Sequence, residues 1–276
     1  MKKMILAVCA MFAFIGGAFA QPGGLNLRSH AALILDAKHG RILFNKNADT
    51  VMPIASITKL MTAIVVLDAK LPLNEGISIE AADIDVIKNT RSRLRVGANL
   101  TRRELLRLAL MASENRAAAS LGRTYPGGIH AFVAAMNDKA FELGMGNSYF
   151  VDATGLNSAN VSPARDLAKL VDSAYKYKVI REYSTTAAHA VAFVDEDRSL
   201  RFSNSNNLVR SRHWDIDVSK TGFLSEAGRC LVMQAKITGK PVIIVLLDSW
   251  GKNSRIGDAN RIKKWMETGF VRKVRG

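Results

Sequence analysis

Apolar positions along the chain change period twice, which divides it into three stretches. In the first, residues 31–36 and 41–46 are short strand-like runs separated by Ala37-Lys38-His39-Gly40. Gly40 can take the positive φ that a tight connection needs, so a hairpin is predicted. Residues 53–67 follow and are almost wholly apolar beyond Thr58-Lys59, the pattern of a helix buried on nearly every side. Pro72, Asn74 and Gly76 then break it.

The second stretch, about residues 79–177, has a mainly helical period. Thr101-Arg102-Arg103-Glu104 reads as a capping box, with Thr101 as N-cap, and opens a helix that stops near Ala112. Residues 115–121 begin another helix, and residues 122–128 read as a loop. Phe132, Met136, Ala140 and Leu143 recur at helical spacing until Gly144 and Gly146. Ser162-Pro163 reads as an N-cap and first-turn pair for a helix through Leu167, Leu170 and Val171.

After Tyr183 the period becomes that of strands, over residues 189–194, 200–204, 217–220, 229–237 and 242–248, with a closing helix over 259–267. Strands at both ends with helices between them predict an α+β fold. One mixed lobe would come from about residues 25–70 and 188–276, and an all-helical lobe from about 71–187, with a cleft between them.

Composition adds an export reading. Lys2 and Lys3, an uncharged apolar run over residues 4–15 and Ala18-Phe19-Ala20 make a secretory signal over residues 1–20. The apolar run is short for a membrane span, and none is predicted elsewhere. Val8 before Cys9 argues against a lipoprotein. The mature chain of 256 residues would begin at Gln21 and keep Cys230 as its single cysteine, so no internal disulfide is predicted. Its net charge, +15 for the full chain, suits an anionic cell envelope better than nucleic acid, although a solvated basic face explains it equally well.

The chemistry begins at Ser56 and Lys59. Residues three apart share a helix face, so Lys59 can reach the Ser56 hydroxyl as the base of a nucleophile. Ser173 with Lys176 and Ser249 with Lys252 repeat the spacing, so the pair alone is weak. Two further clusters choose among the three. Ser113-Glu114-Asn115 falls in the break between two helices, and Lys220-Thr221-Gly222 falls at the end of a strand. Serine-x-asparagine recurs at Ser158 and Ser205, whereas lysine-threonine-glycine occurs once. Together with a serine-x-x-lysine helix they form the motif set of penicillin-binding proteins and class A β-lactamases. Acyl transfer needs what such a set can supply. Lys59 is the base if burial and Lys220 lower its pKa, and Ser113 passes a proton to the leaving amine. Asn115, Lys220, Thr221 and Gly222 bind substrate, and the Ser56 and Phe223 N–H groups face the oxyanion.

Ser92-Arg93-Leu94-Arg95-Val96-Gly97, Leu110-Met111-Ala112-Ser113-Glu114-Asn115-Arg116-Ala117-Ala118-Ala119 and Ser219-Lys220-Thr221-Gly222-Phe223 carry a closer likeness. The chain resembles low-molecular-mass penicillin-binding proteins, serine D,D-peptidases of peptidoglycan, and within them the D-alanyl-D-alanine endopeptidase type. The resemblance implies a β-lactamase/transpeptidase-like fold with an antiparallel sheet, flanking helices and an inserted helical lobe. It also implies a periplasmic enzyme without cofactor or metal. Cross-linked peptides would be its substrates and β-lactams its covalent inhibitors, with Ser56 the acylated residue. Arg255 matches an arginine that carboxypeptidase relatives use for a terminal carboxylate, so D,D-carboxypeptidase activity is the alternative. A class A β-lactamase is a weaker one, because Ala153 stands where that family's deacylating glutamate would precede Leu156-Asn157. A non-catalytic envelope-binding protein is weaker still. The five histidines show no ligand spacing, which argues against a metal hydrolase.

Overall fold

The computed structural model describes residues 25–193, 199–211 and 213–274. The signal segment and Cys9 lie outside them, as does Val194 at the end of one predicted strand. In chain order the elements are β1 (Ser29–Asp36), β2 (Arg41–Lys46), β3 (Met52–Pro53), α1 (Thr58–Asp68), β4 (Gly76–Ser78) and β5 (Asn99–Thr101). Helices α2 (Arg102–Met111), α3 (Asn115–Arg123) and α4 (Gly128–Glu142), strand β6 (Val161–Ser162), and helices α5 (Ala164–Lys176) and α6 (Lys178–Ser184) follow. The chain ends with β7 (Ala188–Ala192), β8 (Ser199–Ser203), β9 (Asp215–Leu224), β10 (Gly228–Ile237), β11 (Lys240–Ser249) and α7 (Ser254–Val274).

The main sheet has five antiparallel strands in the order β2-β1-β11-β10-β9, so the two ends of the chain interleave. Its centre is apolar on both faces because side chains alternate along a strand. In β11, Ile243, Val245 and Leu247 join the core shared with α1, α2 and α5, while Val242, Ile244 and Leu246 join the core beneath α7. A continuous apolar run is the signature of such a doubly covered strand. Strand β9 is one of the two edges, and it runs beside the turn that leads into α1.

The predicted hairpin is β1–β2, with Gly40 at φ +66°. Several boundaries differ from expectation. Thr101 caps α2 by accepting from Glu104 N at 3.2 Å, but Glu104 sends its carboxylate to His189 Nε2 at 2.6 Å, so the expected reciprocal box gives way to a tertiary contact. Helix α3 continues to Arg123, shortening the expected loop, because Leu121 and Gly122 pack inside. Ser162 belongs to β6 rather than capping α5, whose N-cap is Pro163. Short strand pairs β3–β6 and β4–β5, and helix α6, had no distinct periodic signal. The closing helix is more than twice the predicted length. Among the described residues no helix is long and apolar enough to cross a membrane. Cys230 is buried, and burial pushes its thiol up to about 11, which keeps it unreactive.

Candidate active site

Ser56 sits in a single 3-10 turn, residues 55–57, that leads directly into α1. Ala55 has φ +49°, a left-handed conformation rare for a side-chain-bearing residue, and it directs the next residue into the cleft. Lys59, one turn on, is fully buried. Its Nζ donates to Ser56 Oγ at 2.8 Å, Asn115 Oδ1 at 2.7 Å and the Thr154 carbonyl at 2.6 Å, which uses all three ammonium hydrogens. Burial lowers its pKa to about 8 against the opposing pull of Asp152, Glu114 and Asp85.

Burial is the leading cause, as expected, and the neighbouring Lys59 and Lys220 ammonium groups disfavour each other's charge. Lys220 is itself held well below the ordinary lysine range, first by burial, then by Lys59 and Arg255. Its Nζ donates to Ser113 Oγ and the Thr221 carbonyl, both at 2.8 Å. Ser113 stands between α2 and α3 at φ +59°, which turns its hydroxyl towards β9. Asn115 begins α3 and donates from Nδ2 to Thr90 Oγ1 at 2.9 Å. Lys220, Thr221 and Gly222 lie inside β9 rather than at its end, since the strand continues to Leu224. Thr221 Oγ1 donates to Ser205 Oγ at 2.8 Å. A Cβ on Gly222 would meet the Ile54 carbonyl oxygen at 2.8 Å and Ser56 N at 3.3 Å, so only glycine lets the edge strand pass this close to Ser56. Ser56, Ser113, Asn115, Thr221, Gly222 and Phe223 line one open cleft, with Lys59 and Lys220 buried in its floor.

The competing pairs are not assembled this way. Ser173 is buried while Lys176 points outward to Asp172 at 3.3 Å. Ser249, the last residue of β11 and not a position beyond it, bonds Ser29 Oγ at 2.7 Å, and Lys252 is exposed.

Several supporting residues escaped the sequence reading. The Thr154 carbonyl faces Lys59 because Asp152 gathers the turn, accepting from Thr154 N at 2.6 Å, Gly155 N at 2.6 Å and Asn157 N at 3.0 Å. Burial opposes ionisation of Asp152, and these bonds outweigh it, holding the carboxyl below its usual range. An aspartate with threonine and glycine just after it is a legible turn signal, though it does not reveal where the turn docks. Glu114 also acquires a role: it caps α3 by accepting from Ala117 N at 2.8 Å and takes the Ser92 hydroxyl with its other oxygen. It thus ties the residue 84–98 segment to the turn that carries Ser113. Gly155 has φ +78°, and a Cβ there would fall 2.0 Å from the Ala55 carbonyl oxygen. Gly155→Ala is therefore expected to destabilise the fold by about 3 kcal/mol or more and to displace Ser56. A lower Tm together with slower penicillin labelling would show both effects.

The model for the D-alanyl-D-alanine carboxypeptidase family matches residues 18–251. The chain belongs to that family. It is 49% identical over 248 residues to the D-alanyl-D-alanine endopeptidase of Pseudomonas aeruginosa, covering 90% of this chain and 80% of the relative. The endopeptidase of Escherichia coli K12 is 46% identical over the same length and the same shares. Among solved structures, the Streptomyces K15 DD-transpeptidase superposes with a TM-score of 0.82 at 33% identity, over 89% of this chain and 98% of that one. Penicillin-binding protein D2 of Listeria monocytogenes, solved in its ampicillin-bound form, gives 0.75 at 32% identity over 90% and 100%. The chain is a serine peptidase of the low-molecular-mass penicillin-binding type, with the endopeptidases as high-identity relatives, and its fold is the expected one.

Proposed function

We propose that this chain is a periplasmic D,D-endopeptidase that cuts D-alanyl cross-links in peptidoglycan through an acyl-enzyme on Ser56. The observation that carries the mechanism is the buried Lys59 ammonium 2.8 Å from Ser56 Oγ. Neutral Lys59 takes the hydroxyl proton as Oγ attacks the D-alanine carbonyl carbon. The Ser56 and Phe223 N–H groups stabilise the oxyanion. Lys220 donates to Ser113 Oγ, which leaves the Ser113 hydroxyl hydrogen free for the departing nitrogen. Breaking the C–N bond releases the amine and leaves an ester on Ser56, which water hydrolyses. Asn115 Nδ2 has a second N–H for the substrate amide, and the open edge of β9 can pair with an extended peptide.

β-Lactams enter as substrate mimics and remain on Ser56, because nothing at Ala153 supplies a carboxylate to activate water for rapid release. Rapid catalytic penicillin hydrolysis would overturn the peptidase reading. Incubation with cross-linked dimeric and uncross-linked pentapeptide muropeptides tests the substrate. Monomers from dimers are expected, and loss of D-alanine from pentapeptides alone would overturn it. The second reading, carboxypeptidase activity, is favoured by Arg255, which lines the cleft and reaches the Gly222 carbonyl at 2.7 Å.

A base with pKa about 8 makes activity depend on pH in a defined direction. Protonated Lys59 cannot accept the serine proton, so acylation should rise as pH climbs through about 8 and level off above it. Stopped-flow acylation by a chromogenic β-lactam would measure this, and a flat profile from pH 6 to 10 would exclude Lys59 as the base.

A further inference from the structure

Beyond Gly222 the edge of the sheet carries the Phe223 and Arg229 side chains, which the catalytic steps leave unused. Phe223 and Arg229 face each other across the β9–β10 register, with the Arg229 guanidinium 4.4 Å from the Phe223 ring centroid. Phe223 is 55% exposed and lines the cleft. Arg255, on the first turn of α7, donates to the Gly222 carbonyl at 2.7 Å and the Cys230 carbonyl at 3.2 Å.

Among the described residues neither guanidinium forms an ion pair with a carboxylate. The nearby acids are engaged or turned elsewhere: Glu226 holds Lys88 and Ser225, and Asp248 packs against Gly228 without pairing with either arginine. The two cations also feel each other. Arg255 is held below the ordinary guanidinium range first by burial and then by Arg229, and its Nε is buried without a partner. Two uncompensated like charges beside a cleft repel, and a bound anion relieves that repulsion.

We propose that Arg229, seated on Phe223, binds a carboxylate of the leaving peptide stem and so favours cross-linked over uncross-linked substrates. The inference rests on the endopeptidase reading above and deepens it. When a terminal D-alanine departs, its amine carries one carboxylate, next to the broken bond, where Arg255 lines the cleft. When a cross-link is cut, the departing amine belongs to a whole peptide stem, which brings further carboxylates at a greater distance. Arg229 lies outside the cleft lining, one strand farther from the α1 turn, and it is seated on Phe223, which does line the cleft, so it is placed for a carboxylate more distant than the one beside Arg255. Its planar fork suits a carboxylate, and the Phe223 ring beneath it fixes the plane.

The test compares wild type, Arg229→Ala and Arg229→Lys on dimeric muropeptide, on uncross-linked pentapeptide and in labelling by penicillin. For Arg229→Ala, kcat/KM on the dimer should fall about tenfold, mainly through KM, while the other two readouts stay within about twofold. Arg229→Lys should recover part of the loss. Wild type should lose the same advantage on dimers whose leaving-stem carboxylates are amidated. An equal loss on all three readouts would reduce Arg229 to a support for β9 and overturn the inference, as would unchanged dimer cleavage. If wild type leaves dimers intact but trims pentapeptides, the endopeptidase reading fails and takes this inference with it. Failure confined to the variant comparison overturns the inference alone.

Discussion

Ser56→Ala will not be labelled by a fluorescent penicillin, and its cleavage of muropeptides will fall by about 10⁴-fold or more, the usual consequence of deleting a nucleophile. The substitution removes one hydroxyl from a half-buried turn and leaves the rest of the arrangement intact. Lys59 keeps Asn115 Oδ1 at 2.7 Å and the Thr154 carbonyl at 2.6 Å as acceptors. Stability should therefore change by no more than about 1 kcal/mol. Band labelling on a gel together with a thermal melt separates the two effects. Covalent labelling of the folded variant would refute Ser56 as nucleophile. Unchanged muropeptide cleavage would refute it independently. A non-catalytic envelope-binding protein predicts no acylation even of the wild type, so the same gel decides that alternative.

Lys59→Met should slow acylation by about 10³-fold and, unlike the serine variant, should also destabilise the fold. Its fully buried ammonium supplies hydrogens to three oxygens from three segments: the α1 turn, the start of α3 and the residue 152–157 turn. Removing it strands Asn115 Oδ1 and the Thr154 carbonyl, each at about 1–3 kcal/mol, partly offset because a buried cation is no longer desolvated. Lys59→Arg discriminates the chemical role from the structural one. Arginine can donate to the same oxygens but does not lose its proton at working pH. A folded, inactive Lys59→Arg assigns Lys59 to proton transfer, whereas an active one would leave it a purely structural donor. Acylation rate constants and melting temperatures, measured on the same preparations, are the readouts.

Several parts of this molecule were legible in its order of residues. The hairpin, the start of α2 and the three C-terminal strands follow from period and turn chemistry, which act over a few residues. The family also followed, because serine-x-x-lysine, serine-x-asparagine and lysine-threonine-glycine appear in order with extended matching text around two of them. Local patterns did not show β3–β6, whose strands are two residues each and lie 110 positions apart in their pairing of Met52 with Ser162. They gave Glu104 to a helix cap although its carboxylate meets His189, and they had no place for the Thr154 carbonyl.

The sequence by itself determined which residue types are available for acyl transfer and which helix, turn and strand carry them. Motif order already favoured Ser56 among the three serine-lysine pairs, and only the tertiary structure showed the physical difference between them. Ser173 and Ser249 share the spacing of Ser56, but their lysines point outward, whereas Lys59 is enclosed and its pKa is lowered to about 8. Spacing is a property of the backbone a few residues long. Desolvation depends on everything packed around the site, here on α3 and the residue 152–157 turn, which lie far away along the chain.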